Sequence, residues 1–139
     1  MFIKENQNFQ TYQDSNSVIY PENEKEVSNF IKKFYKSSTP IEVVGSGSKK
    51  TIGRLMQCSK TLNLSKLNGI IEYLPEELYI KVKASTPINL IEETLTKNNQ
   101  QLAFEPIDFG FLLSHKSDYG TAAGQVACNI SGPRRFKVG

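Results

Sequence analysis

The sequence predicts an α+β fold, and three observations carry that expectation. The first is a strand–helix–strand order over residues 18–44 that runs into Gly45-Ser46-Gly47-Ser48-Lys49-Lys50. The second is a pair of short strand-like runs, 70–73 and the apolar/polar alternating 78–83, separated by Leu74-Pro75-Glu76-Glu77, the mark of an antiparallel hairpin. The third is an amphipathic helix after Thr86-Pro87. A parallel βαβ unit followed by a hairpin and a helix is neither all-parallel nor all-β.

Composition narrows the function classes. With 139 residues, 38% apolar and 22% charged, the chain has a globular balance and room for one ordinary domain or a piece of one. Seventeen basic and fourteen acidic residues leave +3, too mild and scattered for a nucleic-acid partner but suited to an anionic ligand. No apolar run is long enough to be a transmembrane segment, and no signal-peptide core follows Met1-Phe2-Ile3-Lys4. A soluble, cytoplasmic protein is therefore expected. Cys58 and Cys128 lack metal-type spacing and read as two reduced thiols, with no metal site.

Along the chain, Met1 to Asn16 is polar and without a period, and reads as a loosely held arm. Val18-Ile19-Tyr20 is a short strand stopped by Pro21. Asn23 can cap a helix, with Glu26 three residues on, and Val27, Phe30, Ile31 and Phe34 form its apolar stripe. Lys32, Lys33 and Lys36 suit the negative end of that helix and read as a solvated face. Pro40 ends the helix and Ile41-Glu42-Val43-Val44 starts a strand, expected to lie parallel to and paired with the strand at 18–20. The glycine loop then falls at the carboxyl end of a strand, where ligands of α/β sheets bind. Its glycines allow positive φ, and successive N–H groups of such a turn form a nest for a pyrophosphate. A plain turn has the same composition, and neither common phosphate motif is present.

Thr61-Leu62-Asn63-Leu64 alternates as a strand. In the hairpin, Leu78, Ile80 and Val82 share one face, while Tyr79, Lys81 and Lys83 share the other. The helix near 87–97 is expected to take the Thr86 hydroxyl as its cap and Pro87 as its first residue, with Ile88, Ile91 and Leu95 inward. Leu102-Ala103-Phe104 reads as a short strand and Ile107 to Tyr119 as a loop. The run Gly120 to Asn129 is made of small residues that permit close backbone approach.

Together, Tyr20-Pro21 ahead of Glu26-Val27, the strand into Gly45-Ser46-Gly47-Ser48-Lys49, Ala84-Ser85-Thr86-Pro87, Glu105-Pro106 and Ser131-Gly132-Pro133-Arg134-Arg135 resemble the FAD-binding domain of the vanillyl-alcohol-oxidase, or PCMH, type. Gly-Ser-Gly-Ser-Lys, Tyr-x-Pro-x-Glu-Leu at 73–78 and Ser-Gly-Pro-Arg-Arg narrow the resemblance to the FAD-binding subunits of bacterial glycolate oxidases. The resemblance covers nearly everything from Val18 to Gly139.

That resemblance implies a two-lobed fold: an arm over 1–17, a first lobe over 18–67 carrying the pyrophosphate loop, and the opening of a second lobe over 68–139. It implies FAD held by Val44, Gly45, Ser46, Gly47, Ser48 and Lys49, chiefly through backbone N–H groups. From the second lobe it implies Thr121, Ala122, Ala123, Gly124, Val126, Ala127 and Asn129. Relatives that bond FAD covalently place a histidine near the position of Ser48, so a non-covalent flavin is expected. The implied reaction is oxidation of glycolate, a small 2-hydroxy acid, to glyoxylate. The implied partners are a second flavoprotein and an iron–sulfur subunit, which would supply any contact with the inner membrane.

No residue reads as a general base, and the catalytic residues stay unknown. His115 lies in a stretch that is an insertion relative to the family, and reads as a surface histidine. Arg134 and Arg135 read equally as a fork for a phosphate or carboxylate and as a solvated pair. The chain departs from the family at Ala123, where a glycine is usual and a Cβ would crowd the cofactor. It also stops at Gly139, where family members continue through the flavin sheet and a cap domain. The isolated chain is therefore expected to hold flavin poorly and not to turn over. A non-catalytic nucleotide- or phosphate-binding module and a truncated, inactive remnant remain as rival readings.

Overall fold

The computed structural model describes residues 18–54, 56–113, 119–129 and 131–138. The N-terminal arm and His115 lie outside them, as does the side chain of Arg135. In chain order the described elements are β1 (Val18–Ile19), α1 (Glu24–Lys36), β2 (Ile41–Val44), β3 (Lys60–Asn63), β4 (Ile70–Leu74), a 3₁₀ turn (Pro75–Glu77), β5 (Tyr79–Val82), α2 (Ile88–Thr96), α3 (Gly110–Leu113), α4 (Ala122–Ala127) and α5 (Arg135–Val138). The fold is α+β, as the sequence predicts.

Helix α1 starts as its sequence dictates. Asn23 has extended backbone and its Oδ1 accepts from Glu26 N at 2.9 Å, while Glu26 reaches back to accept from Glu22 N at 2.8 Å. The apolar stripe is narrower than expected: Phe34 is buried and stacks on Phe30 at 6.3 Å, but Ile31 is exposed.

The first sheet corrects the expected pairing. Its order is β1-β3-β2, all parallel, so β1 and β2 share a sheet but both pair with β3 rather than with each other. Burial explains the placement. Leu62 of β3 is 1% exposed and takes the centre, whereas the two residues of β1 can supply only an edge. The strand also begins one residue earlier than its alternation suggests, at Lys60, and Leu64 N extends the pairing to Val44 O at 2.8 Å.

β4 and β5 form the expected antiparallel hairpin as a separate two-stranded sheet. Leu78 does not share the inward face of Ile80 and Val82. It is left-handed at φ 52 and 82% exposed, because the 3₁₀ turn needs a residue of that conformation to hand the chain back into β5. Ile88, Ile91 and Leu95 of α2 are buried and pack with Tyr73, Ile80, Val82, Leu102, Tyr119 and Ala122. This cluster ties α2 to the hairpin and to the start of α4.

Three further expectations are corrected. Pro87, not Thr86, is the cap residue of α2. The Thr86 hydroxyl, fully buried, instead bonds Lys83 O at 2.7 Å, Gly69 O at 3.1 Å and Gly69 N at 3.0 Å, closing the base of the hairpin. Leu102-Ala103-Phe104 forms no strand, and its Leu102 packs against the α2 cluster instead. The stretch expected as a loop over 107–119 contains the helical turn α3, and the small-residue run over 120–129 contains α4. Small size obscured α4, since alanines and a glycine carry no apolar period.

Candidate functional site

β2 delivers the chain to the glycine loop with Val44 buried under it. Gly47 sits at φ +74, a conformation open to glycine, and Lys50 N and Ile52 N close turns onto Gly47 O and Lys49 O. The backbone N–H groups of Ser46, Gly47, Ser48 and Lys49 donate to no other described residue. Four successive donors without a partner among the described residues, in a glycine turn, make a candidate anion nest. The hydroxyls of Ser46 and Ser48 lie 3.3 Å apart beside it.

The small-residue run arrives at this loop from the other sheet's side of the chain. Thr121 has extended backbone and caps α4, its Oγ1 accepting from Gly124 N at 3.3 Å. Ala122 N donates to Thr86 O and Ala123 N to Ala84 O, both at 2.9 Å, so the first amides of α4 are spent on the chain itself. Pro87 and Thr121 form an isolated antiparallel bridge, and Ile88 N bonds Gly120 O. Gly120 and Thr121 are thereby pinned to the start of α2 and held against the loop.

The closeness of that approach is what the glycines permit. A Cβ on Gly45 would lie 2.8 Å from Thr121 Oγ1, and a Cβ on Gly120 would lie 2.8 Å from Lys49 Nζ and 3.4 Å from Ser48 Oγ. Gly120 also has φ +78. The two stretches named from the sequence, 44–49 and 121–129, therefore meet at Gly45 and Thr121, and Gly120, which the sequence reading did not name, lies against Ser48 and Lys49. Ala123 is exposed, and Val126, Ala127 and Asn129 lie exposed at the last turn of α4 and just beyond it.

Charge at the loop is divided between two lysines. Lys50 Nζ pairs with Glu42 Oε2 at 3.0 Å, and Thr61 Oγ1 also donates to that carboxylate. Lys49 Nζ lies 5.7 Å from the centroid of the Phe109 ring and pairs with no described carboxylate. Phe109 was not legible in the sequence, because it comes from an aperiodic stretch sixty residues downstream of Lys49. A shallow, open concavity lies elsewhere, lined by Asn89, Glu92, Glu93, Thr96, Lys97 and Tyr119. Its two glutamates make it a poor host for a diphosphate.

Arg134 is neither a free fork nor merely solvated. Its Nε pairs with Glu105 Oε1 at 3.1 Å and its own backbone N–H donates to Glu105 Oε2 at 3.0 Å, while Glu105 N bonds Ser131 O. Gly132 sits at φ +70 directly against Glu105. Glu105 therefore organises the Ser131-Gly132-Pro133-Arg134 turn. Cys58 and Cys128 are both free thiols, and no helix of the described residues is long and apolar enough to cross a membrane.

Comparison with known proteins gives the family. A family model described as an FAD binding domain matches residues 15–139. Glycolate oxidase subunit GlcE of Escherichia coli (strain K12) is 37% identical over 97 residues, which cover 70% of this chain and 25% of that protein. Two structures of alkyldihydroxyacetonephosphate synthase match with TM-scores of 0.62 and 0.61 at 17% identity, over 88% of this chain and 22% and 24% of theirs. The chain thus spans about a quarter of the length of the proteins it matches. Loop amides without a partner among the described residues, glycines that leave room for a ligand and a nearby lysine with no described carboxylate partner all fit a dinucleotide's pyrophosphate. The chain belongs to the FAD binding domain family, and FAD is its cofactor.

Proposed function

We propose that the chain is the FAD-binding portion of a flavin-dependent oxidoreductase acting on a small 2-hydroxy acid, with glycolate as the substrate to test first. The single observation that carries the site assignment is the meeting of the glycine loop, whose amides at 46–49 have no partner among the described residues, with Gly120 and Thr121. In this reading the amides of Ser46 to Lys49 hold the pyrophosphate, and Gly45 and Gly47 keep its approach clear of side chains. Thr121 to Gly124 packs along the cofactor, with Val126, Ala127 and Asn129 further out. Ser48 has no ring nitrogen to bond the flavin, so retention is non-covalent. FAD would supply a two-electron acceptor for oxidation of the substrate's hydroxyl-bearing carbon; the chain's own part is to bind, orient and shield.

The glycolate substrate rests on the likeness to glycolate oxidase subunit GlcE, as do partner subunits, proposed to be a second flavoprotein and an iron–sulfur protein. The test is Gly47→Val. A β-branched side chain is strained at positive φ and fills the approach to the loop, so flavin retention should be abolished while the circular dichroism spectrum still shows the folded chain, at a stability cost of about 1–3 kcal/mol. Unchanged flavin retention in a folded variant would reduce the loop to a plain turn.

A further inference from the structure

The two lysines that follow the glycine loop meet different fates, and the difference assigns one of them a task. Lys50 is neutralised by Glu42 at 3.0 Å, whereas Lys49 has no carboxylate partner among the described residues. Its ammonium is nonetheless placed. It lies over the Phe109 ring, whose face is electron-rich, and it occupies the space that a side chain at position 120 would need. The Ser48 hydroxyl borders the same space, and the Ser46 hydroxyl is 3.3 Å beyond it. A cation held by a ring and a glycine, next to two hydroxyls and four unpartnered amides, is arranged for an anion that arrives from outside.

We propose that Lys49 is the counter-charge for the cofactor's diphosphate, with Phe109 and Gly120 as the residues that position it. This rests on the loop being the pyrophosphate cradle. It goes beyond that reading because amides alone recognise an oxyanion without neutralising it, whereas an ammonium makes binding depend on ligand charge and on salt. Lys49 then selects a dinucleotide over an uncharged flavin. Phe109 keeps the ammonium from swinging into solvent, so that less side-chain freedom is lost on binding.

The experiment is a titration of the full chain with FAD, ADP and riboflavin, at low and at high sodium chloride, for wild type, Lys49→Gln, Lys50→Gln and Gly47→Val. Lys49→Gln should weaken FAD and ADP by about tenfold or more at low salt and flatten the salt dependence, while riboflavin, which has no phosphate, is unaffected. Lys50→Gln should leave the FAD titration within about twofold of wild type, since its charge is already paired. Phe109→Leu, which keeps an apolar contact but removes the ring face, should fall between the two. If Lys49→Gln binds FAD as tightly as wild type with the same salt dependence, while Gly47→Val does not bind, the loop stands as the cradle and the role of Lys49 is overturned. If Gly47→Val also binds like wild type, or wild type binds neither FAD nor ADP, both fall.

Discussion

Gly45 and Thr121 show at the residue scale how closely the two halves of the site are fitted. Because a Cβ at position 45 would lie 2.8 Å from Thr121 Oγ1 and 3.3 Å from its Cγ2, Gly45→Ala forces a buried side chain to shift. The expected loss is about 1–3 kcal/mol. Thr121→Ala removes both offending atoms but also the cap of α4, at about 1 kcal/mol. The double variant should therefore lose less than the sum of the singles, measured as urea midpoints at constant slope. Additivity within about 0.5 kcal/mol would mean that the two positions do not touch. The same scale shows where reading residue types misleads. Thr86-Pro87 has the composition of a helix start, yet the hydroxyl is turned to the hairpin, where two carbonyls and an amide compete for it successfully.

At the scale of elements, that hydroxyl gives the hairpin base a stability out of proportion to its size. Thr86→Val is nearly isosteric but leaves Gly69 N without its acceptor, whereas Gly69 O and Lys83 O keep Lys83 N and Thr86 N as donors, so the expected cost is about 1–2 kcal/mol with α2 still formed. A loss below about 0.5 kcal/mol by chemical denaturation would restore the simpler capping role. The corner between β1 and α1 is joined to the segment after β3 by Lys66 Nζ on Glu22 Oε1 at 2.6 Å. The hydrogen bond from Lys66, and then its charge, hold the Glu22 carboxyl below its usual range. Since the folded value is the lower one, the pair's contribution is present at neutral pH and fades as pH falls past the usual carboxylate range. Both groups are exposed, so Glu22→Gln should only slightly flatten the loss of stability between pH 7 and pH 3. A large change in that acid limb would show the pair to be more shielded than its exposure indicates.

At the scale of the whole molecule, the parts with a clear period were legible from sequence and the parts set by long-range contact were not. α1, α2 and the β4–β5 hairpin follow from apolar spacing, capping residues and a proline-bearing turn. The insertion of β3 between β1 and β2 does not, because which strand takes the centre depends on how much of Leu62 the assembled sheet can bury. The positive φ at Gly47 was legible from the loop's composition. That Gly120 and Thr121 close over it, that Lys49 rests on Phe109, and that Glu105 commits Arg134 are tertiary facts with no local signal. What organises the molecule is the convergence of the loop after β2 with the start of α4, and FAD is expected to bind there. The most direct test is titration of FAD into the ¹⁵N-labelled chain, following backbone amide resonances. Saturable shifts should centre on Ser46 to Lys49 and Gly120 to Gly124, with those of Asn89 to Lys97 unmoved. Shifts centred on the α2 concavity, or no saturable shift at the loop, would contradict the assignment.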